Sequence, residues 1–412
     1  MKAASIFRAA LTPAALAFVA LSLSLSVASV AVAQDVGADV GGGAGIFRPK
    51  NPEIKKRSNR TAPVRRGTRP TPANAASVDD KIEDLLEKGN QLRDARRFAE
   101  AETAYQSIFK LKATSGRAAY GLGNIYSDQQ RWEEAEAAYR NAALWSPSDV
   151  DALVALSVVL VQPRTGAGNA KRFADAESFA RRAIQLQPKN AVAWDRLGVA
   201  LQARGLFNNE TENAYRRAVE LDPQFAVAYA HLARVLNRMG RAADAAPLYE
   251  QATQLAKDPP TLNLIAESLQ DDQQWQNSEP VLKSALELDA RNPTALYLMG
   301  RMMVVLKRYQ ESESYLKLAT EVSPRAFAPV NLLGRTYLAL DRFEEAEVTY
   351  EKAAEVASAN DRRQVAGIYG MEGVGDGYMK AKKKTSAARA YKRALELDPG
   401  NKQLEQKLAK AS

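Results

Sequence analysis

A small residue returns along most of this chain on a near-constant beat. Gly89, Gly123, Ser157, Gly198, Ala233, Ala266, Gly300, Gly334 and Gly375 lie 34, 34, 41, 35, 33, 34, 34 and 41 positions apart. A period of this length means one supersecondary unit stacked many times, and it constrains the architecture more than any local motif. Each copy holds two stretches with apolar residues at i, i+3, i+4 and i+7, the pattern of two amphipathic helices. Turns such as Ser127–Arg131 and Ala339–Arg342 separate them. One helix pair cannot bury its apolar face alone, so successive pairs are expected to stack into an α-solenoid. The 412 residues then form one quasi-linear array instead of the two or three domains that length suggests.

The recurring small residue has a cost. A glycine inside a helix destabilises it by about 1 kcal/mol relative to alanine. Its return at one place predicts a close approach of the two helices, facing Ala135, Ala176, Ala245 and Ala346. The rings of Trp132, Phe173, Phe207, Trp275, Tyr309 and Phe343 are expected to plug the other end of the hairpin. Pro147, Pro188, Pro223, Pro324 and Pro399 sit near unit boundaries, where the residue before proline disfavours helix.

Two copies show these surroundings most clearly. One runs Tyr120, Leu122, Gly123, Tyr126, Trp132, Ala135, Tyr139, Ala142, Pro147; the other runs Val330, Leu333, Gly334, Tyr337, Phe343, Ala346, Tyr350, Ala353. This pattern resembles the tetratricopeptide repeat, and the resemblance covers about 79–400. It implies an all-α fold of about nine helix-turn-helix repeats forming a right-handed superhelix. It also implies that the first helix of each pair lines a concave groove where polar side chains hold a peptide. Residues 401–412, with Leu404 and Leu408, read as a capping helix.

Two units depart from the beat. The third carries seven extra residues within Gln162–Arg172, read as a protruding loop; its Gly166, Gly168 and Lys171 lack the spacing of a phosphate loop and no strand precedes them. Seven residues are also added around Val356–Arg363. They are close to two helical turns, so the facing helices are expected to lengthen by one turn each. Five glycines follow (Gly367, Gly370, Gly373, Gly375, Gly377), predicting a soft final repeat.

The first 33 residues read as a signal peptide. Lys2 and Arg8 precede an apolar run, and Ala31-Val-Ala33 stands before Gln34 like a cleavage site. An uncleaved membrane anchor is the alternative. The net charge of +9 divides as +2 in this segment, +6 in 34–78 and +1 in the repeats. Residues 34–78, with five prolines and Gly41-Gly-Gly43, read as a disordered basic leader that is either a spacer or a contact to an anionic envelope surface. The chain has no cysteine, which excludes disulfides, thiolate metal sites and cysteine nucleophiles. The expected location is the periplasm. Nucleic acid is disfavoured, since no stacking aromatics accompany the basic residues.

The residue inventory points away from an enzyme, with no catalytic residues, metal ligands or cofactor site. His231 is the only histidine, and its neighbours one turn away offer no carboxylate. Acidic clusters such as Glu133–Glu136 and Glu344–Glu347 open second helices, where they complement the helix dipole. The family's carboxylate clamp is absent: the first unit offers Asn90, but Leu86, Gly121, Asp151 and Ala155 occupy its other places. Other polar residues do recur at groove offsets. Arg234 and Asn237, Asn263, Tyr297 and Arg301, Asn331 and Arg335 form a candidate ligand strip of exposed positions, where arginine can fork onto carboxylates and asparagine can pair with backbone. Glu267 and Asp271 could instead neutralise it. The expected function is a non-catalytic protein-interaction scaffold in the bacterial envelope. An accessory subunit for export or modification of envelope polymer, polysaccharide or peptidoglycan, is the second class.

Overall fold

The computed structural model describes residues 49–55, 77–162 and 168–412. The expected signal segment and the leader apart from 49–55 and 77–78 lie outside them. All regular structure among the described residues is helical, and it falls into two compact units, 49–256 and 257–412.

In the first unit five hairpins follow one another. They pair α1 (Val78–Asp94) with α2 (Phe98–Phe109), α3 (Gly116–Asp128) with α4 (Trp132–Trp145), and α5 (Val150–Leu160) with α6 (Asn169–Leu186). Then come α7 (Ala191–Ala203) with α8 (Asn209–Leu221) and α9 (Ala226–Arg238) with α10 (Ala242–Leu255). In the second unit α11 (Pro259–Asp271) pairs with α12 (Trp275–Leu288), α13 (Pro293–Val305) with α14 (Tyr309–Val322), and α15 (Phe327–Ala339) with α16 (Phe343–Val356). The last hairpin is built from α17 (Arg362–Ala366), α18 (Met371–Lys380) and α19 (Lys384–Leu397), and α20 (Lys402–Ala411) packs on α19. Within each unit the second helix of one hairpin packs on the first helix of the next, as a solenoid requires.

Local chemistry sets the helix ends. First helices mostly open on a capping side chain: Ser77, Ser115, Asp149, Asn190, Asp258 and Asn292 each accept a backbone N–H of the first turn. Second helices end at Trp145, Leu186, Leu221, Val322 and Leu397, each two residues before a proline. Between the two helices of every hairpin but the third lies a left-handed residue, seven positions after the beat residue. Arg96, Gln130, Gln273, Lys307, Asp341 and Lys382 hold it with φ between 57° and 62°, and Gly205 and Gly240 hold it in two other hairpins. The backbone turns there so that the next residue can open the second helix. That residue is often arginine, which binds an acid three positions on and another in the preceding hairpin. Arg308 binds Glu311 at 2.6 Å and Glu279 at 2.8 Å; Arg342 binds Glu345 and Glu313 likewise. The acids that open second helices therefore serve arginines as well as the dipole.

The beat residue proves to be a close contact, but its neighbour is a ring. A Cβ added to Gly89, Gly123, Gly198, Gly334 or Gly375 would lie 2.4–2.7 Å from the ring of Tyr105, Tyr139, Tyr215, Tyr350 or Tyr391. The expected partners Ala135, Ala176, Ala245 and Ala346 are fully buried beside this contact, yet the tyrosines fill the space above the glycines. The rings that open second helices (Trp132, Trp275, Tyr309 and Phe343) are half-buried.

Three expectations need correction. The added residues after the eighth hairpin lengthen neither facing helix; they form α17 and a break before α18. Gly370 sits in that break, where a Cβ would come within 2.1 Å of the Val365 carbonyl oxygen. The glycines of α18 are tight contacts too, Gly375 under Tyr391 and Gly377 under Phe343. The loop expected over Gln162–Arg172 is helical from Asn169, and Gln162 is buried, its carbonyl accepting from Arg172 Nη2 at 2.8 Å. Finally, residues 49–55, expected as part of a disordered leader, are extended and seated on the first two hairpins.

Candidate functional site

Pro49 and Pro52 are buried, and their rings favour the extended backbone by fixing φ. Between and beyond them, side chains of α1 and α3 collect the carbonyl groups. Arg93 Nη1 donates to Pro49 O at 2.8 Å, Asn124 Nδ2 to Lys50 O at 2.9 Å, and Asn90 Nδ2 to Pro52 O at 3.0 Å. Arg117 Nη1 donates to Glu53 O at 2.8 Å, and the Lys55 N–H donates to Glu83 Oε2 at 2.9 Å. One side chain of the segment is read as well. Asn51 accepts from Arg93 at 3.0 Å and donates to Asp94 at 2.9 Å. Lys50, Glu53 and Lys55 are exposed, so the contact reads extended backbone, two prolines and one asparagine.

These donors are held before any segment arrives. Asn90 Oδ1 accepts the Tyr105 hydroxyl at 2.7 Å, and Asn124 Oδ1 accepts the Tyr139 hydroxyl at 2.9 Å. With the oxygen engaged, each amide nitrogen is turned outward. The same tyrosines are the rings that cover Gly89 and Gly123, so the beat glycine and the asparagine beside it belong to one device. Arg93 is 1 % exposed and grips both oxygens of Asp128 at 2.8 and 2.9 Å. Burial pulls the guanidinium pKa down, but Asp128 outweighs it and the value rises. Burial likewise pushes Glu83 up, while Arg117 and the Lys55 amide outweigh it and hold it below the usual range. A buried charge kept this way needs its full set of partners, and the Pro49 carbonyl is one of them.

The seven residues expected as a ligand strip divide between the units. Arg234 and Asn237 lie half-buried on α9 in the first. Asn263, Tyr297, Arg301, Asn331 and Arg335 lie in the second, and they are less open than expected. Tyr297 is 4 % exposed, with its hydroxyl pKa pushed up to about 12 by burial, so it belongs to the packed interior. Arg301 is half-buried; its Nε donates to Gln270 at 2.8 Å and its guanidinium stands 5.7 Å from the Trp275 ring centre. Arg335 stands 5.1 Å from the ring centre of Tyr369, which with Ile368 forms an exposed apolar pair. Asn263 donates to Asn292 at 2.9 Å. Three buried polar atoms of the strip lack a hydrogen-bond partner: Asn263 Oδ1, Arg301 Nη2 and Asn331 Oδ1.

His231 does have a carboxylate, supplied by the preceding hairpin. Its Nδ1 lies 2.8 Å from Asp195 Oδ1, and both side chains are fully buried. Burial raises the Asp195 pKa, but the charges of Arg196 and His231 outweigh it and hold it below its ordinary value. The Tyr215 ring packs 5.2 Å from the imidazole. The pair ties α7 to α9 inside the core. Among the described residues no group of acids and histidine could hold a metal ion, and no helix is long and apolar enough to cross a membrane.

Three family models described as tetratricopeptide repeat match the chain, at residues 92–158, 225–258 and 330–360. No curated protein matches it. Among solved structures, yeast Tom70 is similar with a TM-score of 0.54 at 15 % identity, over 90 % of this chain and 72 % of that one. A repeat protein of Thermus thermophilus, TTC0263, matches with a TM-score of 0.39 at 21 % identity, over 46 % of this chain and 98 % of its own. MamA from Desulfovibrio magneticus RS-1 matches with a TM-score of 0.38 at 17 % identity, over 43 % and 97 %.

Proposed function

Because the chain belongs to the tetratricopeptide-repeat family, whose members are generally protein-interaction scaffolds, we propose that it is a non-catalytic scaffold holding an extended segment of a partner protein along its first helices. One observation carries this reading. Asn90 and Asn124, which donate to the carbonyls of 49–55, both stand one position after the beat residue. Arg234, Arg301 and Arg335 stand at that same offset in their own hairpins. The register of Arg301 and Arg335 therefore matches that of groups already in contact with extended chain. The three unpartnered buried atoms of Asn263, Arg301 and Asn331 support a ligand there, since such an atom costs about 1–3 kcal/mol until it is paired. A segment with carboxylates suits the arginines.

We place this scaffold in the bacterial periplasm, on the signal-like character of residues 1–33, with the basic leader as a second contact to an anionic envelope surface. A mature chain beginning at Gln34, read by intact mass, supports export; a full-length chain recovered with membranes supports the anchor. For the binding reading the test is an array of extended peptides, acidic and neutral, probed with the whole protein. Arg301 is half-buried and bonded, so charge reversal there would disturb the fold as well as the site. Arg335→Gln is the cleaner variant, with Arg301→Gln beside it and circular dichroism as a control. At least a tenfold loss of acidic binders is expected. Undiminished binding by the double variant places the partner elsewhere.

A further inference from the structure

The segment on α1 and α3 is the chain's own, and this suggests control of the site it fills. We propose that residues 49–55 are a tethered pseudo-ligand that closes a peptide site on the first two hairpins, a site whose external ligands are extended segments of Pro-x-Asn-Pro type. This rests on the scaffold reading only in so far as a groove binds extended chain; the residues concerned are different ones.

Three features argue for a ligand-like contact as opposed to ordinary packing. The segment is joined to α1 through 22 residues, so nothing in the hairpins depends on it for chain continuity. Four of its seven carbonyls are collected by side chains of α1 and α3, and one further side chain, Asn51, is bonded at both ends. The donors Asn90 and Asn124 are oriented by Tyr105 and Tyr139 from within the hairpins, and an incoming extended segment would replace the carbonyl that buried Arg93 loses when 49–55 leaves. A tether of this length holds the segment at an effective concentration on the order of 1 mM. A free peptide with an intrinsic Kd of about 10–100 μM would then bind roughly ten- to a hundredfold more weakly to the intact chain than to an uncapped site.

The test uses the full chain and a labelled synthetic peptide covering residues 49–55. The comparison is between wild type and a full-length variant with Pro49→Ser, Asn51→Ala and Pro52→Ser. The variant should bind the peptide at least tenfold more tightly. In that background, Asn90→Asp with Asn124→Asp keeps the acceptor for each tyrosine hydroxyl but removes both donors, and binding should be lost. A measurement without substitutions accompanies these: the Lys55 amide, bonded to Glu83, should be protected from exchange in wild type and lose protection when peptide is added in excess. Equal peptide affinity in wild type and the leader variant overturns the proposal, because the segment is then no competitor. Binding to neither chain also overturns it, while leaving the Arg335 experiment to judge the scaffold reading. Lys55 protection that fades on dilution, together with a dimer in sedimentation, would assign the segment to a second copy and overturn closure within one chain.

Discussion

Replacing Gly334 by leucine should destabilise the eighth hairpin, and the structure says by how much. A Cβ at this position would lie 2.7, 2.8 and 2.9 Å from three ring atoms of Tyr350, closer than real contacts allow. That ring is fully buried, and its hydroxyl donates to the Tyr369 carbonyl, so it cannot swing aside without losing a bond. Overpacking of this kind costs about 1–3 kcal/mol, and the lost hydroxyl bond adds about 0.5–1.5 kcal/mol. The expected total is roughly 1.5–4.5 kcal/mol. Gly334→Ala brings the same Cβ against the Tyr350 ring without the longer side chain, so it should cost less than leucine but still destabilise, its gain of about 1 kcal/mol in helix propensity offsetting part of the contact. The sixth hairpin suggests the rescue. There Ala266 and Leu282 occupy the two places, both buried, so Gly334→Ala with Tyr350→Leu should restore much of any loss through coupling of the pair. Because a repeat array need not melt in one step, the readout is amide exchange within 327–356 alongside the thermal midpoint. Equal exchange in wild type and the leucine variant would refute the contact.

The turn geometry and the acid ladder give two further expectations. Lys307 holds φ at 57°, so Lys307→Gly should leave stability unchanged or raise it by up to about 1 kcal/mol, whereas Lys307→Val should cost about 1–2 kcal/mol; matching melts for the two would remove the strain argument. Glu279 is held below its ordinary value of 4.5 by bonds from Lys283 and Arg308. Burial pushes Glu313 up, but Lys317 and Arg342 outweigh it. A depressed folded pKa contributes stability that is present above the unfolded value and lost as pH falls through the folded one. The thermal midpoint should thus be level from pH 6 to 8 and decline below about pH 4.5, each half-exposed pair adding little; a midpoint at pH 3.5 equal to that at pH 7 would contradict it.

The hairpin architecture was legible because spacing carries it. The beat of small residues, the twin amphipathic stretches and the prolines after second helices each have a geometric cause that survives any change of surface sequence. The left-handed turn residue was not legible by type, since Arg96, Gln130, Gln273, Lys307, Asp341 and Lys382 are poor announcements of positive φ; only their constant offset from the beat reveals it. Counting inserted residues as helical turns misread the region after α16, where Gly367 and Gly370 mark the break that became α17 and α18. The site on the first two hairpins was hidden by averaging. Composition made 34–78 one basic, proline-containing stretch, and Pro49, Asn51 and Pro52 were lost in it. A signal did exist on the receiving side. Asn90, Arg93 and Asp94 place three polar groups within five residues of α1, close to Gly89 at the tight contact.

The position after the beat residue changes chemistry along the chain, and that change has a measurable consequence. It is Asn90 and Asn124 in the first two hairpins, then Val158 and Val199, which interrupt any row of donors, and Arg234 in the fifth. In residues 257–412 it is Glu267, Arg301, Arg335 and Asp376, charged throughout. The arginines of the first site, Arg93 and Arg117, are already matched by Asp128 and Glu83, so binding there forms hydrogen bonds with little net change in charge pairing. An acidic segment beside Arg301 and Arg335 would instead gain from half-exposed charges, which salt screens over a length of about 10 Å at 0.1 M and 3 Å at 1 M. Affinity for the 49–55 peptide, measured in the leader variant, should therefore vary less than about threefold between 0.05 and 0.5 M salt, the range over which screening acts. Affinity for an acidic peptide should fall by about tenfold or more over the same range. Equal salt dependence of the two would mean that the offset does not separate a backbone-reading site from a charge-reading one.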